Sequence, residues 1–163
     1  MKVPWRKVFS WHCNACGKCC SEYRVRLSAY EYLKLKETGF VEEKNGRFFI
    51  RKIRGSCPFQ IDRLCILQDK LKPFACKIYP FSVYKRGEED ALFEYEKEEY
   101  YVYVDVFCPN LKLRRESGEN YSIRALVEEA VKLYLGEVAQ PKKLTADLKV
   151  SELQQHRLHR AKV

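Results

Sequence analysis

The sequence predicts an α+β fold: a small metal-stapled core with a short antiparallel β-meander, short helices, a C-terminal amphipathic helix and a basic tail. Three observations lead there. Eight cysteines are spread through 163 residues. Between 81 and 107 the chain is rich in aromatic and β-branched residues, the types that suit strands. Finally, SIRALVEEAVKLYLG at 122–136 repeats its apolar residues at helical spacing and ends on Gly136.

In chain order, YRVRL at 23–27 alternates like a short strand. Ser28 then opens a helix, with Glu31 completing a capping box and Gly39 as the stop. RFFIRKI at 47–53 reads as a strand, and Gly55 turns the chain into Cys57-Pro58. CPFQIDRLCIL at 57–67 reads as a tight hairpin with Asp62-Arg63 at its turn. LKPFACKIYPF at 71–81 has too many prolines for a long helix, so one or two short turns are expected. FSVYK, ALFEYE and YYVYVDVF follow as strands of a meander, with KRGEED as the turn between the first two. Residues 1–136 form the cysteine-cluster domain, and 137–163 form the basic tail, a candidate second helix.

The cysteines are Cys13, Cys16, Cys19, Cys20, Cys57, Cys65, Cys76 and Cys108. Soft thiolates at C-x2-C-x2-C spacing suit zinc or an iron–sulfur cluster such as 4Fe-4S, and a closed site takes four of them. Gly17 lets the backbone wrap closely inside that knuckle. Cys19 and Cys20 are adjacent, and in extended backbone neighbours point to opposite sides. The expectation is therefore that one closes on Cys13 and Cys16 while the other reaches the downstream set. Eight thiols allow two four-ligand sites, or one site with spare thiols. Disulfides are the competing reading. His12, His156 and His159 are further nitrogen donors in sequence, read as packing and tail residues.

Charge is uneven under a net +9. Residues 1–26 carry six positive and one negative charge, residues 85–107 three and eight, and residues 137–163 six and three. A basic balance of this kind points to nucleic acid or to a solvated surface. Lys2, Trp5, Arg6, Lys7, Lys142, Lys143, Arg157 and Arg160 are the candidate nucleic-acid contacts, the cations for phosphates and an exposed Trp for stacking on a base. The competing expectation is that Trp5 and Trp11 bury themselves against the cysteine cluster. No apolar run reaches the ~20 residues a membrane helix needs. No apolar stretch follows the basic N-terminal residues, so a cytoplasmic protein with reduced thiols is expected.

HCNACGKCC at 12–20, GSCPFQIDRLCIL at 55–67, KPFACKIYPF at 72–81 and the late Cys108-Pro109 together resemble the CxxCxxCC (YkgJ-type) cysteine-cluster family. The resemblance runs from Phe9 to Cys108. It implies a zinc- or iron-chelating domain in which all eight cysteines occupy the family's positions. It also places Pro58, Pro73, Pro80 and Phe81 in the family's proline patterns. Lys72 stands where the family commonly has arginine, which keeps the charge without the bidentate fork. A similar cluster accompanies the flagellin lysine methylases.

No Gly-rich nucleotide loop, nucleophile elbow or H-E-x-x-H occurs. The first reading is therefore a metal-binding accessory module without catalysis of its own, with RNA or a ribonucleoprotein such as the ribosome as partner. The alternatives are an iron–sulfur enzyme or enzyme subunit, of redox or protein methyl-transfer type, and a metal carrier.

Overall fold

The computed structural model describes residues 1–68, 71–114 and 123–144. In chain order these form strand β1 (Lys2–Pro4), a 3₁₀ turn (Trp5–Lys7) and strand β2 (Val8–Ser10), then helix α1 (Lys18–Glu22), strand β3 (Arg26–Leu27) and helix α2 (Ala29–Leu35). Strands β4 (Val41–Lys44), β5 (Arg47–Ile50), β6 (Gln60–Ile61) and β7 (Leu64–Cys65) precede helix α3 (Phe74–Ile78). Strands β8 (Phe81–Tyr84), β9 (Leu92–Tyr95), β10 (Glu98–Asp105) and β11 (Lys112–Leu113) lead to helix α4 (Arg124–Leu135). The mixture of short antiparallel sheets and helices is α+β.

The described residues fall into two compact units. The first lies within Met1–Asn14 and Lys77–Thr145, and the second within Ala15–Cys76.

The first unit is organised by β10. Tyr100, Val102 and Val104 alternate inward and are buried, as a half-buried strand requires. Its register corrects the expected meander. Tyr101 pairs with Tyr84 of β8 and also with Leu92 of β9, so β8 and β9 lie on opposite edges of β10. KRGEED therefore links two strands that are not neighbours, and the hairpin is β9–β10, turned by Glu96 and Lys97 at positive φ. β1 pairs antiparallel with the far end of β10, Val3 opposite Val104. Val127, Ala130 and Val131 of α4 are fully buried in the same core, and Gly136 ends the helix in the left-handed region at φ 79°.

The second unit is smaller in its apolar content: Leu27, Leu35, Ile50 and Phe59 form its buried cluster. The capping box is present as expected. Ser28 Oγ accepts from Glu31 N, and Glu31 Oε2 accepts from Ser28 N at 2.7 Å. The strand expected over 47–53 is only Arg47–Ile50, and its partner β4 joins it through Asn45-Gly46, both at positive φ. That dipeptide is the sequence signal for such a turn. The 57–67 hairpin forms with Asp62 and Arg63 at its turn, again at positive φ.

Candidate metal centre

All eight cysteines are free thiols. Cys13 and Cys108 lie in the first unit. Cys16, Cys19, Cys20, Cys57, Cys65 and Cys76 lie in the second, so the boundary between units falls inside C-x2-C.

Gly17 sits at φ 77° just ahead of α1, which carries Cys19 and Cys20 in its first turn. This corrects the expected divergence of the adjacent pair. Neighbours on a helix are turned by about 100° rather than the near-180° of a strand. The Cys20 thiol donates a hydrogen bond to Cys19 instead of pointing away from it.

Short backbone bonds place the other three thiols. Cys57 N donates to Cys20 O at 3.2 Å, tying the strand entry to α1. Gln60 is paired with Cys65 across the β6–β7 hairpin, and its side chain packs over Gly17. Gln68 N then donates to Cys65 O at 3.1 Å, while Gln68 Oε1 accepts from Lys72 Nζ at 2.8 Å. Cys76 N donates to Pro73 O at 2.9 Å in the first turn of α3. Lys52 Nζ donates to Ser21 O on the same α1 segment.

The thiols sense one another. Cys19 is pulled down to about 6, first by the Cys20 hydrogen bond and then by the Lys72 charge, against burial. Cys20 is pushed up because it is the donor in that bond, then by burial and by the charges of Cys19, Cys57 and Cys76. Burial pushes Cys57, Cys65 and Cys76 up, and the neighbouring thiolates add to it. Five sulfurs from three short chain segments thus share one electrostatic neighbourhood. A soft cation relieves both the burial and the mutual repulsion of such thiolates. The donor chemistry therefore fits zinc or an iron–sulfur cluster. Among the described residues, no three His, Cys, Asp or Glu side chains are gathered closely enough to hold a metal ion.

Cys16 is exposed and outside this group of interactions. Cys13 packs against the core of the first unit, and Trp11 Nε1 donates to the buried Cys108 Sγ at 3.1 Å. His12 is exposed.

The basic residues have partners inside the first unit. Lys2 Nζ donates to Tyr84 Oη at 2.9 Å, Arg6 Nη1 donates to Glu89 O at 3.3 Å, and Lys7 pairs with Asp90 at 3.6 Å. Trp5 is buried, edge-on to Phe93, and donates through Nε1 to Leu92 O, which leaves no exposed ring face for a base. Lys142 and Lys143 are held by their backbone N–H groups on the Glu129 carboxylate. Arg157, Arg160, His156 and His159 lie outside the described residues, as does most of the expected basic tail. No helix among the described residues is long and apolar enough to cross a membrane.

Glu31, Gln60 and Gln68 are the residues that sequence reasoning missed as organisers of the thiols. Only Glu31 had a signal, its capping-box position.

No curated protein and no solved structure matches the chain. A family model does, that of the CxxCxxCC family, described as "Putative zinc- or iron-chelating domain", over residues 12–109. That span takes in all eight cysteines and three-fifths of the sequence, and the chain belongs to the CxxCxxCC family of zinc- or iron-chelating cysteine-cluster domains.

Proposed function

We propose that this chain is a non-catalytic metal-binding module whose cysteines, Cys13, Cys16, Cys19, Cys20, Cys57, Cys65, Cys76 and Cys108, ligate zinc or an iron–sulfur cluster. The observation that carries the reading is the family match over all eight cysteines; Cys19, Cys20, Cys57, Cys65 and Cys76 lie in one compact unit, where Cys57 N donates to Cys20 O at 3.2 Å. These residues come from α1, the β6–β7 hairpin with its entry, and α3, elements of two to five residues each. Elements that short do not hold themselves together. The second unit has a buried apolar cluster of four residues, and small cores of that kind are commonly stapled by a metal.

Bound metal supplies cross-links between these segments and a positive charge for the thiolates. The chain's own residues do the rest. Gly17 turns the backbone so that α1 begins beside the hairpin, Glu31 holds the start of α3, and Lys72 and Lys52 place positive charge beside the sulfurs. In this reading the module is an accessory part whose fold depends on its metal.

Anaerobic purification with elemental analysis and a visible spectrum tests it. Broad absorbance near ~400 nm with roughly four irons per chain indicates a cubane cluster, and a colourless protein with stoichiometric zinc indicates zinc. Removing the metal should raise amide exchange across residues 15–76, and reloading should restore protection. A pure, folded chain with neither metal ends the reading.

A further inference from the structure

The second unit turns a basic sheet face outward. Strands β3, β5 and β4 pair antiparallel in that order. Tyr32 of α2 stacks on Phe48 with ring centroids 4.3 Å apart, and Leu27, Leu35 and Ile50 pack together on the same side, so α2 covers one face. Strand alternation puts Arg26, Glu42, Lys44, Arg47 and Phe49 on the other. Arg24, two residues ahead of Arg26, lies over the Phe49 ring at 4.1 Å and reaches across it to Glu42 at 2.6 Å. That ion pair uses the one acid that alternation places on this face. Arg26, Lys44 and Arg47 are exposed, and none has a hydrogen bond or ion pair among the described residues.

Lys44 stands directly opposite Arg47 across the β4–β5 ladder. Like charges in that position destabilise a sheet, so folding alone does not account for the pair. Residues 15–76 carry thirteen positive and seven negative charges, so the surroundings do not neutralise it either. A polyanion supplies the charge that this face lacks.

We propose that the outward face of β3, β5 and β4 binds single-stranded nucleic acid, with Arg26, Lys44 and Arg47 on its phosphates and the Arg24–Phe49 pair as a platform for a base. Arginine's planar fork matches phosphate, and single strands stack their bases on aromatic rings and guanidinium planes along a positive surface. Phe49 is the only apolar side chain that alternation puts on this face, and it is half-buried under Arg24, so nothing there inserts into a lipid surface. The cations that the sequence nominated in the first unit, Lys2, Arg6 and Lys7, are engaged by Tyr84, Glu89 and Asp90. No cysteine takes part in this surface, so it stands whether or not the metal reading does.

The test uses the full chain as purified and reads the anisotropy of a labelled oligouridylate about 15 nucleotides long at several salt concentrations. Each phosphate contact on a single strand adds about −0.7 to the slope of log affinity against log salt, so three cations give a slope near about −2. Arg26→Gln/Arg47→Gln is expected to weaken binding about tenfold or more at ~0.1 M salt and to make the slope shallower by about 1.4. It should unfold in urea no earlier than wild type, because it relieves the Lys44–Arg47 repulsion. Lys36→Gln/Arg63→Gln removes the same charge from exposed positions off this sheet. That control is expected to bind within about twofold of wild type. Equal loss in both double variants means that overall charge alone binds the strand, and it overturns the proposal. A wild-type chain that ignores the oligonucleotide overturns it too, as does one that prefers an RNA duplex or phosphatidylserine vesicles. If the arginine variant unfolds early, Lys44→Gln gives the same readouts with half the change in slope.

Discussion

Glu31 Oε1 accepts a hydrogen bond from Phe74 N at 2.6 Å, while Oε2 of the same carboxylate closes the capping box on Ser28 N. One side chain thus serves the first turns of both α2 and α3, and α3 carries Cys76 two residues further on. Replacing Glu31 with alanine removes both bonds. We expect Glu31→Ala to cost about 1–2 kcal/mol in urea unfolding. It should also speed alkylation of Cys76 in the metal-free protein, a thiol otherwise withdrawn into the second unit. Unchanged Cys76 labelling would mean that α3 is held by other contacts.

Gly17 meets two constraints at once. Its φ of 77° strains any side chain, and a Cβ there would stand 2.1 Å from Gln60 Nε2. Gly17→Ala should destabilise by about 1–2 kcal/mol from backbone strain alone. The Gln60 amide is the end of a flexible side chain and can swing away. The double variant Gly17→Ala/Gln60→Ala should therefore recover the steric part and keep the backbone part. Full recovery in the double variant would show that backbone strain contributes nothing.

Glu129 accepts three backbone N–H groups, from Lys142, Lys143 and Leu144, each at 2.8 Å. Leu144 is buried beneath this clamp at 2% exposure. A charged acceptor with three donors is a strong anchor, and Glu129→Ala should cost about 2 kcal/mol. Proteolysis after Lys142 or Lys143 by a trypsin-like enzyme should become faster in the variant. Glu129→Gln should fall between alanine and wild type, since it keeps an acceptor oxygen and loses the charge.

The parts of this architecture that were legible in the sequence are those with local causes. The Ser28–Glu31 capping box, the Asp62-Arg63 turn and the apolar stripe of α4 each sit within a few residues of the chemistry that makes them. β1 has no such cause. Three residues become a strand because Lys2 lies opposite Asp105, a pairing that no local pattern announces. The same holds for β8 and β9: alternation marks each as a strand but does not choose the edge of β10 it joins. In the candidate site, the cysteine spacing pointed to the metal class that the family description carries. It misled on Cys19 and Cys20, because the divergence argument assumed extended backbone where the chain forms a turn of helix. For Trp5 the sequence offered both an exposed and a buried reading, and the choice between them rests on Phe93 and Leu92, far along the chain.

The Cys19–Cys20 pair should control which thiol reacts first once metal is removed. The Cys20 thiol donates to Cys19 and Lys72 adds its charge, which together hold Cys19 at about 6, well below the ordinary thiol range. A lowered value means that the thiolate survives as pH falls until about 6 and is lost below it. Cys20 moves the opposite way and keeps its proton. Iodoacetamide labelling of the metal-free chain, read by mass spectrometry, should therefore show Cys19 half-maximally reactive near pH 6. The ordinary free thiol, near ~8.5, is the reference. Cys20→Ala removes the leading cause and should carry the Cys19 midpoint up toward that ordinary value. Lys72→Gln removes a smaller one and should raise it less. A Cys19 midpoint that ignores Cys20→Ala and follows Lys72→Gln alone would reverse the order of causes and make the lysine, not the adjacent thiol, the group that lowers Cys19.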